Sequence, residues 1–235
     1  MGFCSQSKAE NCYDSTEMKA SAVLLLVALL FTVSGCQSRK DLHPQTVHTA
    51  PPAWRGVHLG LDSDEQADAL VEELPRLAAI GVNVIVVEVD YSFDFQSHPE
   101  LRPSHFLTKA HAQKLAREGR AHGIRIIPQI NCLGHQSWAK NTSSLLAKYP
   151  ECDETPGKFP DNKDIYCRSW CPQNPEVNTV VFALVDELID AFEADAFHVG
   201  MDEVFIMASE HCPRCHGADP ARLVAKAVND FHEHI

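Results

Sequence analysis

Two adjacent carboxylates, Asp202 and Glu203, close the apolar run Ala196-Phe197-His198-Val199-Gly200-Met201. Adjacent carboxylates repel, which favours one of them keeping a proton, and a retained proton is what a general acid donates near neutral pH. Carboxylates at the C-terminal end of a parallel strand stand where (β/α)8 enzymes do chemistry. The same residues also suit a buried strand with a solvated acidic end. Polar groups gather at the ends of two other apolar runs: Glu88 and Asp90 after one, then Gln129, Asn131 and His135 after the next. His198, inside its run, reads as a satisfied core histidine rather than a catalyst.

A second constellation is Cys212-Pro213-Arg214-Cys215-His216-Gly217. Its Cys-Pro-x-Cys-x-Gly spacing resembles a zinc knuckle, in which a tight turn aims two thiolates at one metal. A knuckle supplies half of a tetrahedral site, and Cys167 and Cys171 are the candidates for the other half, because successive βα loops are neighbours at the top of a barrel. Structural zinc on Cys167, Cys171, Cys212 and Cys215, disulfides among them, and free thiols all remain open. Cys132 and Cys152 have no assigned partner.

The elements that would position these groups alternate. Gly56–Leu61 reads as a strand; Ser63 with Gln66 forms a capping box; Leu70, Val71, Leu74, Leu77 and Ala78 have helical spacing, with a kink or break expected at Pro75. Val84–Val89 is a β-branched run of the kind buried on both faces of a parallel sheet. Thr108 is expected to cap the next helix and Gly123 to close it. Ile124–Ile130 reads as a third strand, followed by a long irregular excursion, 131–174; loops of that length are usually functional. Asn174-Pro175 and Asp219-Pro220 open two further helices. This βα alternation implies a parallel sheet with helices outside. The doubly wound alternative lacks a glycine-rich phosphate loop after its first strand.

Taken together, His198-x-Gly200-x-Asp202-Glu203, Trp54-Arg55-Gly56, Gly81-Val82-Asn83, Ile127 to His135 ending in Gly134-His135, and Asn174-Pro175-Glu176 resemble, in the same order, the motifs of family 20 glycoside hydrolases, the β-N-acetylhexosaminidases. The resemblance implies an α/β fold, a (β/α)8 TIM barrel. With four strands read, the expected barrel is truncated after about the fourth β/α unit. The aromatic walls of the family's acetamido pocket come from later strands, so the chain as given is expected to be inactive alone. The resemblance further implies a retaining, substrate-assisted hydrolysis of terminal N-acetylglucosamine or N-acetylgalactosamine from glycans, needing no cofactor for catalysis. In it Glu203 is the general acid and base, Asp202 stabilises the acetamido group, His135 lies near Glu203, and Arg55, Gln129 and Asn131 bind sugar hydroxyls. Met201 stands where the family usually has a second glycine. Gln129 and Asn131 replace residues commonly acidic. These departures keep a second reading open, a non-catalytic carbohydrate-binding lipoprotein of the same fold.

The 235 residues, 45% hydrophobic, suffice for one domain with a core. A net charge of −12 argues against nucleic acid as a partner. Nine cysteines point to export or metal binding. Residues 1–35 read as an export segment, with Lys19 before the apolar run Ala20–Phe31 and with 1–17 as a mis-called start. Val33-Ser34-Gly35-Cys36 resembles a bacterial lipobox, which implies cleavage before Cys36 and lipidation of its thiol, anchoring the protein to the membrane of the cell envelope. Residues 36–52 read as a tether and 53–235 as the N-terminal part of the catalytic barrel.

Overall fold

The computed structural model describes residues 53–235; the export segment, the tether and Cys36 lie outside the described residues. The chain runs through β1 (Gly56–Gly60), α1 (Asp64–Ala79), β2 (Val84–Glu88), α2 (Lys109–Ala121) and β3 (Arg125–Cys132). A small hairpin, β4 (Ser137–Trp138) and β5 (Asn141–Thr142), and a short helix, α3 (Ser144–Lys148), follow. Then come α4 (Pro175–Phe192), β6 (His198–Gly200) and α5 (Pro220–His234). Strands β1, β2, β3 and β6 form one parallel sheet in that order. This is the α/β class expected, and the sheet is open rather than closed into a barrel among the described residues.

Alternation along the strands sorts the sheet's two faces. Ile85 and Val87 of β2 and Ile126, Ile130 and Cys132 of β3 enter the main core, together with Leu74 of α1, Leu115 of α2 and Leu184 and Leu188 of α4. Gln129 and Asn131 fall between these core positions, on the face away from the helices. That face carries a chain of polar contacts. His58 Nε2 lies 3.2 Å from Glu88 Oε2, and Gln129 Nε2 donates to Glu88 Oε2 (3.3 Å) and Asn131 Oδ1 (3.0 Å). β2 is buried on its helix-facing side and only partly covered on the other, where Val84 is buried, Val86 is half-buried and Glu88 ends the strand.

Several local expectations change. α1 passes through Pro75 without a break. Ser63 Oγ accepts from the Gln66 N–H, but the Gln66 side chain accepts from the Asp62 N–H instead of the Ser63 N–H. Thr108 makes no side-chain cap; its N–H and hydroxyl both donate to Asp64 Oδ1, at 2.7 and 3.0 Å, and so tie α2 to the start of α1. Asn174 and Asp219 cap α4 and α5 as read, accepting from the N–H of Glu176 and Ala221. His198 is exposed, and its Nδ1 accepts from the Gly200 N–H. It sits on an edge strand of the sheet, with its ring tilted toward that of His58, centroids 6.4 Å apart.

β1 is exposed along most of its length, and the three-residue β6 is only half covered. Unpaired strand edges of this kind recruit other edges. A polypeptide of residues 37–235 is therefore expected to self-associate with rising concentration, as followed by light scattering. A protein that stays monomeric at every concentration would contradict this.

Candidate active site

The site forms where the chain leaves β3 and β6. Leu133 and His135 have φ of 66° and 54°, Met201 and Glu203 have 63° and 50°, and Asp90, just past β2, has 50°. Non-glycine residues in this left-handed region cost about 1–3 kcal/mol each and persist only where the surroundings over-determine them. Gln136 supplies much of that hold after β3. Buried at 1% exposure, its Nε2 donates to the carbonyls of Asn131 (2.7 Å) and Gly134 (2.8 Å). Its Oε1 accepts from the hydroxyls of Tyr91 and Ser143, each at 2.8 Å.

Two glycines let the strand ends approach. A Cβ on Gly134 would lie 2.6 Å from the Asp202 carbonyl oxygen, and one on Gly200, itself at φ +63°, would lie 2.8 Å from Asn131 Oδ1. With the backbones this close, His135 reaches both acids: its Nε2 is 3.2 Å from Asp202 Oδ2 and 3.3 Å from Glu203 Oε2. The Tyr166 hydroxyl donates to the same Glu203 oxygen at 2.8 Å, and that hydrogen bond holds the Tyr166 hydroxyl above its usual pKa. Both partners converge on Oε2, so Oε1 is the oxygen left free for a ligand among the described residues.

An exposed aromatic arc borders Glu203. Trp138, Tyr166 and Phe205 are 66%, 53% and 67% exposed, and the Tyr166 ring stands edge-on to Trp138 (centroids 6.3 Å apart) and to Phe205 (5.5 Å). Clustered exposed aromatics mark a contact surface, and their flat faces suit the C–H faces of a sugar ring. The motif reading did not find Tyr166 or this arc. The only sequence signal was the length of the excursion that carries Trp138 and Tyr166.

The structure thus brings together Asp202, Glu203 and His135. Asn131 is beside them: its N–H and Nδ2 donate to the two Asp90 carboxylate oxygens at 2.7 and 3.3 Å. Gln129 is 2% exposed, and its Oε1 is a buried acceptor without a partner among the described residues. Arg55 is the departure. It precedes β1, at the opposite end of the sheet from the carboxylates, and its Nε donates to the Gly81 carbonyl at 2.6 Å. Along β1 that is about 16 Å from the strand's C-terminal end, so its side chain does not join the site. Cys167 also departs from expectation. Its Sγ lies 3.5 Å from the Glu203 carbonyl, apart from Cys171, Cys212 and Cys215, whose cluster takes Glu154 as its fourth member. All six described cysteines are unpaired thiols, and burial pushes the Cys171 thiol up to about 12.

Residues 56–234 match the family model described as glycosyl hydrolase family 20, catalytic domain. The chain is 31% identical over 159 residues to the β-hexosaminidase subunit beta of Homo sapiens, covering 62% of this chain and 27% of that protein. It is 24% identical over 163 residues to hexosaminidase D of Bos taurus, covering 68% and 44%. Among solved structures, the chitobiase of Flavobacterium johnsoniae superposes with a TM-score of 0.60 at 23% identity, over 77% of this chain and 30% of that one. The chain spans less than half the length of the curated relatives it matches.

Asp90 gives the site a measurable pH dependence. Burial raises its carboxyl from 3.8 to about 6, and the Glu88 charge adds to the rise against the Asn131 N–H and the nearby His135. The folded chain therefore holds this proton over a window in which the unfolded chain has lost it, and stability falls as pH rises through that window. Asp90→Asn keeps an acceptor for the Asn131 N–H and cannot ionise. In urea titrations it is expected to exceed the wild type at pH 7.5 by up to ~3 kcal/mol, with the advantage shrinking toward about pH 4. A constant difference across pH would refute the assignment.

Proposed function

Since the chain belongs to glycosyl hydrolase family 20, we propose that it acts in hydrolysing terminal, non-reducing N-acetylhexosamine residues of glycans by a retaining, substrate-assisted route. The observation that carries this reading is His135 Nε2 standing 3.2 and 3.3 Å from both Asp202 and Glu203 at the C-terminal end of a parallel sheet. In the first step the acetamido oxygen of the substrate attacks the anomeric carbon. The glycosidic bond breaks, and its oxygen takes the proton carried by Glu203. Asp202 accepts the acetamido N–H and stabilises the positive charge that develops on the resulting ring. In the second step Glu203 removes a proton from the water that opens this ring, which restores both the acid and the acetamido group.

His135 and Tyr166 are positioning groups here. Both address Glu203 Oε2, which turns Oε1 toward the leaving group. The Trp138, Tyr166 and Phe205 arc supports binding of the glycan beside the acid. The four-stranded sheet is read as part of a (β/α)8 barrel whose remaining walls complete the acetamido pocket, so the described portion alone is expected to be inactive. The apolar run Ala20–Phe31 and the lipobox-like Val33–Cys36 support an exported lipoprotein of the bacterial cell envelope, held to the membrane through Cys36 and working on glycans within reach of its tether.

Gln129 and Asn131 favour a second reading, carbohydrate binding without turnover. Neutral amides stand where acids would strengthen the charge relay, and Gln129 Nε2 is already engaged with Glu88 and Asn131. The intact Asp202–Glu203 pair opposes this, because a binder needs no proton donor.

A chromogenic N-acetyl-β-glucosaminide assay on the full-length gene product tests both readings. Glu203→Gln is expected to lower kcat at least about a hundredfold while sugar binding survives, and Asp202→Asn to slow 2-acetamido substrates strongly. Near-normal turnover by Glu203→Gln would remove Glu203 from the mechanism. Rescue of Asp202→Asn by azide would indicate an enzymic nucleophile instead of the acetamido group. A wild type that binds N-acetylglucosamine without any turnover would establish the second reading.

A further inference from the structure

The sulfur and carboxylate cluster takes part in no step of the reaction above. Glu154 lies within the excursion, Cys171 near its end, and Cys212 and Cys215 in the loop after β6; each is at most 1% exposed. Their ligand atoms lie within 4.8 Å of one another. We propose that Glu154, Cys171, Cys212 and Cys215 bind one zinc ion, a structural centre that ties the excursion to the loop after β6.

The donor set and its geometry support this. A tetrahedral zinc with bonds of about 2.3 Å to sulfur and about 2.1 Å to oxygen spaces its ligand atoms roughly 3.5–3.8 Å apart. The Cys215 sulfur now lies 2.7 and 2.9 Å from the two Glu154 oxygens; a metal in the place of the shared proton would move them slightly apart. Three thiolates make a soft site that suits zinc, and four protein ligands leave no open position, as a structural centre requires. Binding displaces the thiol protons to solvent and transfers no electrons.

The surroundings agree. Glu154 has no Lys, Arg or His ion pair among the described residues, and a buried carboxylate without a cation is costly; zinc supplies that cation. The Ser209 N–H donates to Glu154 Oε1 at 2.9 Å and orients it, as an outer-shell group does for a ligand. The Cys212–Cys215 turn is closed by the His216 N–H on the Cys212 carbonyl (3.3 Å) and the Ala218 N–H on the Cys215 carbonyl (2.9 Å), with Gly217 at φ +75°. Leu223 is buried in the same cluster, and Met207 and Ala218 pack against it, which keeps water out.

The position of the centre gives it a task. Tyr166 lies between Glu154 and Cys171 in the chain, and Glu203 lies shortly before Cys212. A metal joining these segments closes a ring through the Tyr166–Glu203 hydrogen bond and fixes how the tyrosine meets the acid. This inference stands whether or not the site turns over a glycoside.

The test is metal analysis of the full chain purified without chelators, with intact-mass counting of thiols. About one zinc per chain is expected. Cys171→Ser and Cys212→Ser should each lower that content at least tenfold, Glu154→Gln should lose zinc to a chelator sooner than the wild type, and Cys167→Ser should keep the full complement. Should the serine variants not fold, cobalt loaded into the wild-type chain is expected to show thiolate-to-metal charge transfer of three-sulfur intensity and a tetrahedral d–d spectrum. A metal-free protein, a disulfide among Cys171, Cys212 and Cys215, undiminished zinc in Cys212→Ser, loss of zinc in Cys167→Ser, or cobalt bound without sulfur bands would each overturn the proposal.

Discussion

The site depends on one steric constraint: two backbones must cross almost in contact where β3 and β6 end. Gly134 faces the Asp202 carbonyl and Gly200 faces Asn131, and a methyl group at either position would meet an oxygen at 2.6 or 2.8 Å. The closeness lets one imidazole address two neighbouring carboxylates. It also explains the strained backbone beside it. A chain that must turn away at once after such a crossing has few allowed conformations, and Leu133, His135, Met201 and Glu203 all take the left-handed one. Met201 shows the constraint most directly: a glycine, which has no Cβ, adopts its φ of 63° without strain.

The excursion after β3 meets a different demand, since a long loop must satisfy its own backbone. Arg168 does much of this. Buried with Asp153, its guanidinium also donates to Asn162 Oδ1 and to the carbonyls of Lys158 and Phe159. Breaking such a buried pair from one side leaves an uncompensated charge, so the loop is held as a unit rather than by scattered contacts. Tyr166 stands two residues before this hub, which is how an exposed side chain keeps a defined position beside Glu203.

The parts of this arrangement legible in the sequence are those written in consecutive residues. Asp202 and Glu203 are adjacent, His135 follows a glycine at a strand end, and the βα alternation carries its own periodicities. Contacts between distant segments were not legible. Tyr166 and Glu203 are brought together by the folded excursion, and no spacing announces them. Glu154 replaces Cys167 beside the other thiols because loop geometry, not residue type, decides which side chains converge. Arg55 was placed by motif order alone, and its side chain is engaged by the Gly81 carbonyl at the far end of β1. Thr108 has the sequence of a cap, yet it faces Asp64 from another helix, a tertiary contact that outweighs a local preference.

The strand order β1-β2-β3-β6 follows chain order without a skip, and this bears on how the molecule assembles. Each βα unit adds to the edge left by the one before, so a nascent polypeptide can lay down the sheet in the direction of its synthesis. The two acids stand just past the last of these strands, and the histidine that serves them stands just past the one before. Until β6 docks, His135 has neither acid to meet. Parallel pairing across crossovers is slow because distant segments must meet before any contact rewards them. The meeting of His135 with Asp202 therefore waits on a contact between segments 67 residues apart in the chain.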